Sequence, residues 1–205
     1  MKIISVEGLD KAGKHSLSKT LQVALREDGL QVERSEFHRY DTPIGDLIGK
    51  WLRGEFKADQ ITIELLMAAD KQNQQAWFTE LEERGVDVLI LDRYTASQWA
   101  YSIAQDVDYC FAEALQRYMR PPDMTIFLDI PAEESLKRKG KHNGGVNDRY
   151  EADLQLQDRA RSVYREYLGF NDICIDAQQS METVAAEAID YVRRRLAGML
   201  QLTNS

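Results

Sequence analysis

The sequence is poor in cysteine, in long apolar runs and in positive charge. Its two cysteines, Cys110 and Cys174, lie far apart and form no CxxC pattern, so we expect no disulfide framework and a reducing compartment. No run approaches the ~20 apolar residues that a membrane helix needs, and the apolar stretch at the N-terminus is too short for a secretory signal. These absences predict a cytoplasmic protein with no membrane partner.

The net charge bears on the class of partner. A formal net charge of −8 disfavours a general nucleic-acid-binding role, because phosphate backbones select basic surfaces. A small anionic substrate is compatible with this charge, since a local pocket can be positive inside an acidic protein. The 205 residues are enough to bury a substantial core, and this length favours a single domain spanning 1–205.

Apolar strand patterns alternate with helical patterns along the chain. Helical spacing of apolar residues covers 15–28, 132–138 and 149–168, and the longest such pattern runs over 59–84. Strands that alternate with helices call for a parallel sheet covered on both faces. The prediction is therefore an α/β fold with a five-stranded parallel sheet and helices on both faces. Its strands are expected at 2–7, 30–37, 86–92, 124–130 and 172–177.

A glycine-containing loop joins the first predicted strand to the first predicted helix. The segment from Gly8 to Lys14 has the pattern GxxxxGK, in which backbone N–H groups converge on an anion at the N-terminus of a helix. Lys14 supplies a mobile positive charge for the outer phosphates. Because the pattern has the required strand–loop–helix context, it predicts a nucleotide-phosphate site.

His15 follows this loop at the position where a magnesium-binding hydroxyl is expected. Magnesium prefers oxygen ligands, and it usually keeps several waters and leans on substrate phosphates. Ser16 carries the nearest hydroxyl, although one helical step turns a side chain by ~100°. We expect a working site in which Ser16 or an added water replaces the missing ligand, rather than a damaged loop.

Four segments identify the chain as similar to a known family. They are EGLDKAGK (7–14), EFHRYDTPIGDLI (36–48), LDRYTASQWAYS (91–102) and NDRYEADLQLQ (147–157). Together, in this order and over nearly the whole chain, they resemble the thymidylate kinase family of P-loop nucleoside monophosphate kinases. The resemblance implies a P-loop NTPase fold, ATP and Mg²⁺ as cofactors, and phosphorylation of dTMP to dTDP for deoxynucleotide synthesis, with dUMP as a further candidate substrate. It also implies a homodimer.

The matching positions imply roles for individual residues at the phosphates. Lys14 and Arg93 would neutralise phosphate charge, and Asp10 would hold the 3′-hydroxyl of the substrate. Asp92 would lie near the magnesium ion, with Ser16 as a second metal ligand. The ATP-binding residues would be Gly8, Leu9, Asp10, Lys11, Ala12, Gly13, Lys14, His15 and Ser16.

Other matching positions imply the pocket for the monophosphate. Tyr101 would lie against the 2′ position of the sugar. Met67, Lys71 and Gln98 fall where the family usually has a base-stacking phenylalanine, a base-contacting arginine and a polar base reader. Arg39 and Tyr40 correspond to the segment that touches the phosphate, and His38 replaces the proline of that segment. The substrate-binding residues would be Asp10, Phe37, Arg39, Tyr40, Met67, Lys71, Arg93, Gln98, Tyr101 and Tyr150.

The segment at about 138–148, RKGKHNGGVND, is polar, basic and glycine-containing. Its position resembles that of the lid that closes over ATP, and Arg138 and Arg149 are the candidates for its catalytic cation. Ordinary solubilising charge is the structural alternative for this segment.

Several of the named side chains also fit structural roles. On periodicity alone Met67 fits a core position, Lys71 a solvated surface and Tyr101 a packing aromatic, while the DRY segment (92–94) fits a strand-end salt bridge. His38 and His142 are expected at the surface with no part in catalysis.

Three rival functions remain at this stage. A deoxynucleoside kinase would phosphorylate a hydroxyl, but such enzymes typically show an ERS-like strand end rather than DRY (92–94). A regulatory GTPase would need an NKxD motif, which the sequence lacks. A non-catalytic P-loop nucleotide-binding protein is suggested by His15.

The base-reading positions predict a pyrimidine choice. Gln98 can accept from N3–H and donate to O4 of thymine or uracil, but its amide could flip to suit cytosine. Lys71 can only donate, so it favours the O4 carbonyl. Met67 is flexible and can settle against either ring. We expect dTMP as the main substrate, dUMP accepted, and dCMP and the purine monophosphates poor.

Overall fold

The computed structural model describes residues 1–138, 149–150 and 153–202. Five strands form one parallel sheet in the order β2-β3-β1-β4-β5. They are β1 (Lys2–Gly8), β2 (Val32–Glu36), β3 (Val88–Asp92), β4 (Met124–Asp129) and β5 (Ile173–Asp176). The predicted five-stranded parallel sheet is confirmed.

Helices connect the strands, as parallel pairing requires. They are α1 (Lys14–Glu27), α2 (Pro43–Leu52), α3 (Gln60–Asn73), α4 (Gln75–Glu83), α5 (Thr95–Ala104), α6 (Tyr109–Gln116), α7 (Ala132–Lys137), α8 (Leu154–Tyr167) and α9 (Met181–Leu202). In the part of the chain that the structure describes, no helix is both long and apolar enough to cross a membrane.

Helices cover both faces of the sheet. Alternate residues of β3 enter two separate hydrophobic clusters, Val88 and Ile90 in one and Leu89 and Leu91 in the other. Successive side chains of a strand point to opposite faces, so each face of the sheet carries its own buried layer. This explains why VLIL (88–91) reads as an uninterrupted apolar run.

The helical pattern predicted at 59–84 is confirmed over Gln60–Asn73 and Gln75–Glu83, but the structure divides it into two helices at Gln74. The Lys71 carbonyl accepts from the Gln74 backbone N–H at 3.2 Å and from the Gln75 side-chain amide at 3.0 Å. The side chain of Gln75 thus competes for a carbonyl of the helical ladder. Periodicity reports the spacing of apolar residues and does not detect this competition.

Helix α8 begins later than the pattern predicted. Residues Arg149 and Tyr150 lie in a turn, and the Asp153 side chain accepts from the Leu156 backbone N–H at 3.0 Å as the N-terminal cap of α8. Apart from Arg138, the predicted lid at 138–148 lies outside the described residues.

The carboxyl ends of the central strands meet at one edge of the sheet. Gly8, Asp92 and Asp129 end β1, β3 and β4, and β1 lies between the other two strands. Ligands of open parallel sheets bind at this edge, where the connections leave in opposite directions. The loop that begins at Gly8 therefore stands at the expected place for a site.

Candidate active site

The phosphate loop turns sharply between β1 and α1. Gly8 has φ +143°, and a Cβ at this position would lie 2.6 Å from the Leu128 carbonyl oxygen, so only glycine fits. Gly13, with φ +104°, precedes the first residue of α1. The N-terminus of this 14-residue helix presents unpaired N–H groups and a partial positive charge to the loop.

Lys14 is buried under the loop. Its Nζ donates to the Leu9 carbonyl at 2.7 Å, and the residue is 7% exposed. Burial lowers the pKa of Lys14 to about 8, and the charge of Arg93 contributes in the same direction. A bound polyphosphate would favour the charged form, so this lysine is suited to hold an anion.

Arg93 joins the loop to the next part of the site. It follows β3 with φ +67°, a left-handed conformation that a non-glycine residue adopts only where its surroundings enforce it. Its guanidinium forms an ion pair with Asp10 and donates to the Gly8 carbonyl at 3.0 Å and to Ser97 Oγ at 3.2 Å. Burial alone would raise the pKa of Asp10, but the charges of Arg93 and Lys14 outweigh it and hold this pKa below its usual range.

A buried carboxylate, Glu7, supports this arrangement and was not predicted. It accepts from the Tyr94 backbone N–H at 2.8 Å, from Ser97 Oγ at 2.5 Å and from the Tyr164 hydroxyl at 3.5 Å. Burial raises its pKa. Glu7 thereby fixes Ser97, which in turn holds Arg93. The one sign of this role in the sequence was a carboxylate at the end of an otherwise apolar strand.

A cavity adjoins Arg93. It is lined by Asp10, Phe37, His38, Tyr40, Leu52, Glu64, Met67, Arg93, Ser97, Gln98, Tyr101 and Tyr150. Most of the predicted substrate residues meet here from distant parts of the sequence, which is the grouping that the resemblance implied. The exceptions are Arg39 and Lys71, which do not belong to its lining.

Arg39 and His38 belong to one polar cluster at the cavity wall, of which His38 lines the cavity and Arg39 does not. Arg39 donates to both carboxylate oxygens of Asp41, at 3.1 and 3.0 Å. His38 Nδ1 lies 3.0 Å from a carboxylate oxygen of Asp70, and the same oxygen accepts from the Arg39 backbone N–H at 3.1 Å. Burial and the charge of Lys71 lower the pKa of His38 to about 4. The surface position predicted for His38 is wrong, because Asp70 of α3 draws the ring inward to line the cavity.

Gln98 lies at the end of the cavity expected for the base, with each polar atom of its amide engaged. Its Nε2 donates to the Glu64 carbonyl at 2.9 Å and to the Glu64 carboxylate at 3.0 Å. Its Oε1 accepts from Lys71 Nζ at 3.2 Å. Lys71 is 1% exposed and burial lowers its pKa to about 8, so the solvated-surface alternative for Lys71 is wrong.

Met67 and Tyr101 both line the cavity and belong to the hydrophobic core. Each side chain therefore packs in the core and also forms part of the cavity wall. The Tyr101 ring stacks on Tyr150 with centroids 5.1 Å apart and planes at 10°. Its hydroxyl donates to Gln157 Oε1 at 3.1 Å. Burial raises the pKa of Tyr101 well above its usual value, so this wall of the cavity carries no charge.

A cluster of possible metal ligands lies at the ends of β2 and β3. His15 Nδ1 lies 3.5 Å from a Glu36 carboxylate oxygen and 3.8 Å from an Asp92 carboxylate oxygen, and the ligand atoms of all three lie within 4.8 Å of one another. Asp92 was predicted for this role; Glu36 was not. Ser16 is exposed on the first turn of α1.

The two candidate lid arginines lie in different places. Arg138 donates to the Ala177 carbonyl at 2.7 Å and to the Lys11 carbonyl at 3.4 Å, which ties it to the phosphate loop. The guanidinium of Arg149 stacks over Trp51, 4.6 Å from the ring centroid, and Arg149 is exposed. Its backbone N–H donates to the carbonyl of Leu52, which lines the cavity, at 3.3 Å, so Arg149 lies beside the cavity without belonging to its lining.

The fold and the site together define a class of protein. A phosphate-cradling loop at the switch point of a parallel sheet adjoins a second cavity, and Arg93 contacts both. This is the architecture of a P-loop kinase, in which a phosphate donor and an acceptor bind side by side.

Comparison with known proteins gives the family. The sequence model of the thymidylate kinase family matches residues 6–188. The chain is 33% identical over 181 residues to the thymidylate kinase of Mycobacterium tuberculosis (80% of this chain, 84% of that protein). It is 29% identical over 198 residues to that of Schizosaccharomyces pombe (93% and 91%). The solved thymidylate kinase of Candida albicans is similar in structure, with a TM-score of 0.79, 25% identity and coverage of 95% of this chain and 92% of that chain.

The chain belongs to the thymidylate kinase family, and its activity is the phosphorylation of dTMP with ATP as donor. This confirms the resemblance drawn from the four sequence segments. The rival functions, deoxynucleoside kinase and non-catalytic nucleotide-binding protein, are not supported by these comparisons.

Proposed function

We propose that phosphoryl transfer takes place at Arg93, between ATP on the loop formed by 8–16 and dTMP in the adjoining cavity, with dUMP as a second substrate. The observation that carries this proposal is the set of contacts of one guanidinium. Arg93 bonds to Gly8 in the loop and to Asp10 and Ser97 in the cavity wall. A cation that touches both sites can neutralise the phosphates of both ligands.

In the proposed mechanism, a phosphate oxygen of dTMP attacks the γ-phosphorus of ATP while the bond from that phosphorus to the ADP oxygen breaks. The acceptor is already an anion, so no strong general base is required. Lys14 and Arg93 neutralise the negative charge that spreads over the transferring group, and alignment supplies much of the remaining catalysis. Asp10 is paired with Arg93. Once phosphates also bind this guanidinium, the Asp10 carboxylate would accept a hydrogen bond from the 3′-hydroxyl of dTMP.

We propose that magnesium is held beside the loop by Asp92, with Ser16 or a water completing the site. The donor set fits such an ion, because the carboxylates of Asp92 and Glu36 converge there and Mg²⁺ prefers oxygen ligands. When bound, the ion would neutralise oxygens of the donor phosphates. The imidazole of His15 would be a poorer ligand for this ion than the two carboxylates.

We also propose that 1–205 form one kinase domain with a lid predicted at 138–148, of which Arg138 alone lies within the described residues. The contacts of Arg138 with the carbonyls of Lys11 and Ala177 support a position of this arginine beside the phosphate loop. Arg149, exposed on the cavity side, is the second candidate for the cation that reaches the transferring phosphoryl.

We further propose that the protein is a homodimer in the cytoplasm. The exposed apolar side chains of Ile61 and Leu65 on α3 support an interface, because apolar groups grouped on one helix favour association. The free thiols of Cys110 and Cys174 are exposed, which suits a reducing compartment.

The acceptor experiment measures ADP release from ATP with dTMP, with thymidine and with neither. We expect turnover with dTMP alone, whereas a deoxynucleoside kinase would use thymidine and a scaffold would use none. Lys14→Ala and Arg93→Ala should each abolish most turnover and stay folded by circular dichroism, because each removes several kcal/mol of transition-state stabilisation. Arg120→Ala, which removes an exposed arginine paired with Glu82, is the matched control. Near-normal turnover by Arg93→Ala would contradict the mechanism.

A further inference from the structure

The amide of Gln98 is held between a carboxylate and an ammonium group. Gln98, Glu64 and Lys71 are 4%, 1% and 1% exposed. Glu64 receives both hydrogens of the amide, one on its backbone carbonyl and one on its carboxylate. Lys71 donates to the amide oxygen from the other side. The amide nitrogen of Gln98 thus faces hydrogen-bond acceptors, and its oxygen faces a donor.

This arrangement excludes the flipped amide. A flip would set the amide nitrogen, which can only donate, against the Lys71 ammonium, which can also only donate. It would also set the amide oxygen against the Glu64 carboxylate and carbonyl, so acceptors would face acceptors. Leaving buried charged groups unpaired is costly, and the opposite charges therefore determine the orientation.

The carboxylate of Glu64 is itself fixed by the surrounding helices. Ser102 Oγ of α5 donates to one of its oxygens at 2.7 Å, and Gln60 Nε2 of α3 donates to the other at 2.8 Å. Glu64 therefore acts as a rigid support rather than a side chain that could rotate with Gln98.

Lys71 does not line the cavity, whereas Gln98 does. In this arrangement Lys71 acts on a ligand through Gln98. With both amide hydrogens engaged by Glu64, the only capacity that Gln98 has left for a ligand is a second lone pair on its oxygen. A base at this position must therefore bring a hydrogen-bond donor.

We propose that Glu64 is a positioning residue that sets base specificity, by locking Gln98 so that it can only accept. The inference rests on the proposed placement of dTMP in this cavity. Where N3 of the base faces the fixed oxygen, thymine and uracil donate their N3 hydrogen to it. Cytosine presents a lone pair at N3 and would have to shift in the cavity to offer its 4-amino group instead, so it binds less well. The amide flip that would admit cytosine is removed by Glu64 together with Lys71.

The test is the ratio of kcat/KM for dCMP to kcat/KM for dTMP in wild type and in Glu64→Gln. Glutamine has the same shape and no charge, and its amide can offer a donor to the oxygen of a turned Gln98. The side chain at position 64 then no longer opposes the flip, and only Lys71 and the backbone carbonyl of residue 64 still do. We expect the ratio to rise at least about tenfold, equivalent to ~1.4 kcal/mol in relative barrier. A purely structural role would lower both values alike and leave the ratio unchanged.

Gln60→Ala is the matched control, because it removes a partner of Glu64 but leaves the carboxylate and its bonds to Gln98. Its ratio should stay at the wild-type value. Should Glu64→Gln fail to fold, Lys71→Gln removes the other half of the lock and is expected to raise the ratio likewise. An unchanged ratio in the folded variant, with dTMP still turned over, overturns this inference and leaves the proposed function standing. A wild type inert toward dTMP overturns the proposed function itself.

Discussion

His15 stands where a magnesium-binding hydroxyl is expected, and two carboxylates surround it. The distances from His15 Nδ1, 3.5 Å to Glu36 and 3.8 Å to Asp92, place the imidazole at the edge of an oxygen-rich site. Because the carboxylates supply hard ligands without it, the ring is dispensable for metal binding in this account. In the proposed function the loop is therefore altered at one metal ligand, while the glycine turns at Gly8 and Gly13 and the buried Lys14 are in place.

The substitution His15→Ser should leave turnover within about tenfold of wild type in magnesium, a change of at most ~1.4 kcal/mol in barrier. Steady-state turnover of dTMP over a magnesium titration measures it, with Ser16→Ala as the companion variant. An inert wild type that gains activity on His15→Ser would show that the natural loop is damaged.

Residues whose role follows from a local sequence pattern could be predicted. Residues whose role depends on a contact with a distant part of the sequence could not. Gly8 and Lys14 carry motif spacing at a strand end, so their grouping followed from the strand–loop–helix pattern, whereas the place of Arg93 beside them was implied by the family resemblance. Glu64 lies 34 positions from Gln98, and no periodicity links the two. A buried carboxylate on an apolar helix face was the only available sign, and a single sequence cannot show what it binds.

At the scale of elements, α5 organises the site. It carries Ser97, Gln98 and Tyr101 on one helix, so in the proposed function the side chain that holds Arg93, the base reader and the sugar wall would share a rigid support. Its packing against α8 brings Gln157 to Tyr101. The strands were predictable from apolar runs, whereas the break at Gln74 accompanies a side-chain hydrogen bond that spacing does not encode.

The wall built by Tyr101 predicts a preference for deoxyribose. A 2′-hydroxyl beside the Tyr101–Tyr150 stack would be buried and poorly paired, at a cost of ~1–3 kcal/mol. Tyr101→Ala should therefore bring kcat/KM for the ribose analogue closer to kcat/KM for dTMP. Tyr118→Ala, at a tyrosine that is 80% exposed, is the control and should not change this ratio. Equal use of both sugars by the wild type would remove the role given to Tyr101.

At the scale of the whole molecule, the protein is acidic but places two cations beside the proposed phosphate site. The formal net charge is −8, yet the buried Lys14 and the half-buried Arg93 lie near each other at the carboxyl edge of the sheet. Asp10 forms an ion pair with Arg93. The outer surface thus repels polyanions in general, while the site favours a nucleotide small enough to enter.

The most direct test of the account is kcat/KM of the wild type for dTMP, dUMP, dCMP and dGMP with ATP. We predict dTMP highest and dUMP about tenfold lower, the low end of what one methyl group contributes in an apolar pocket, because Met67 adapts to either ring. The values for dCMP and dGMP should be far lower. Efficient turnover of dCMP would contradict the fixed acceptor of Gln98, and a preference for dGMP would contradict the assignment of dTMP to this cavity.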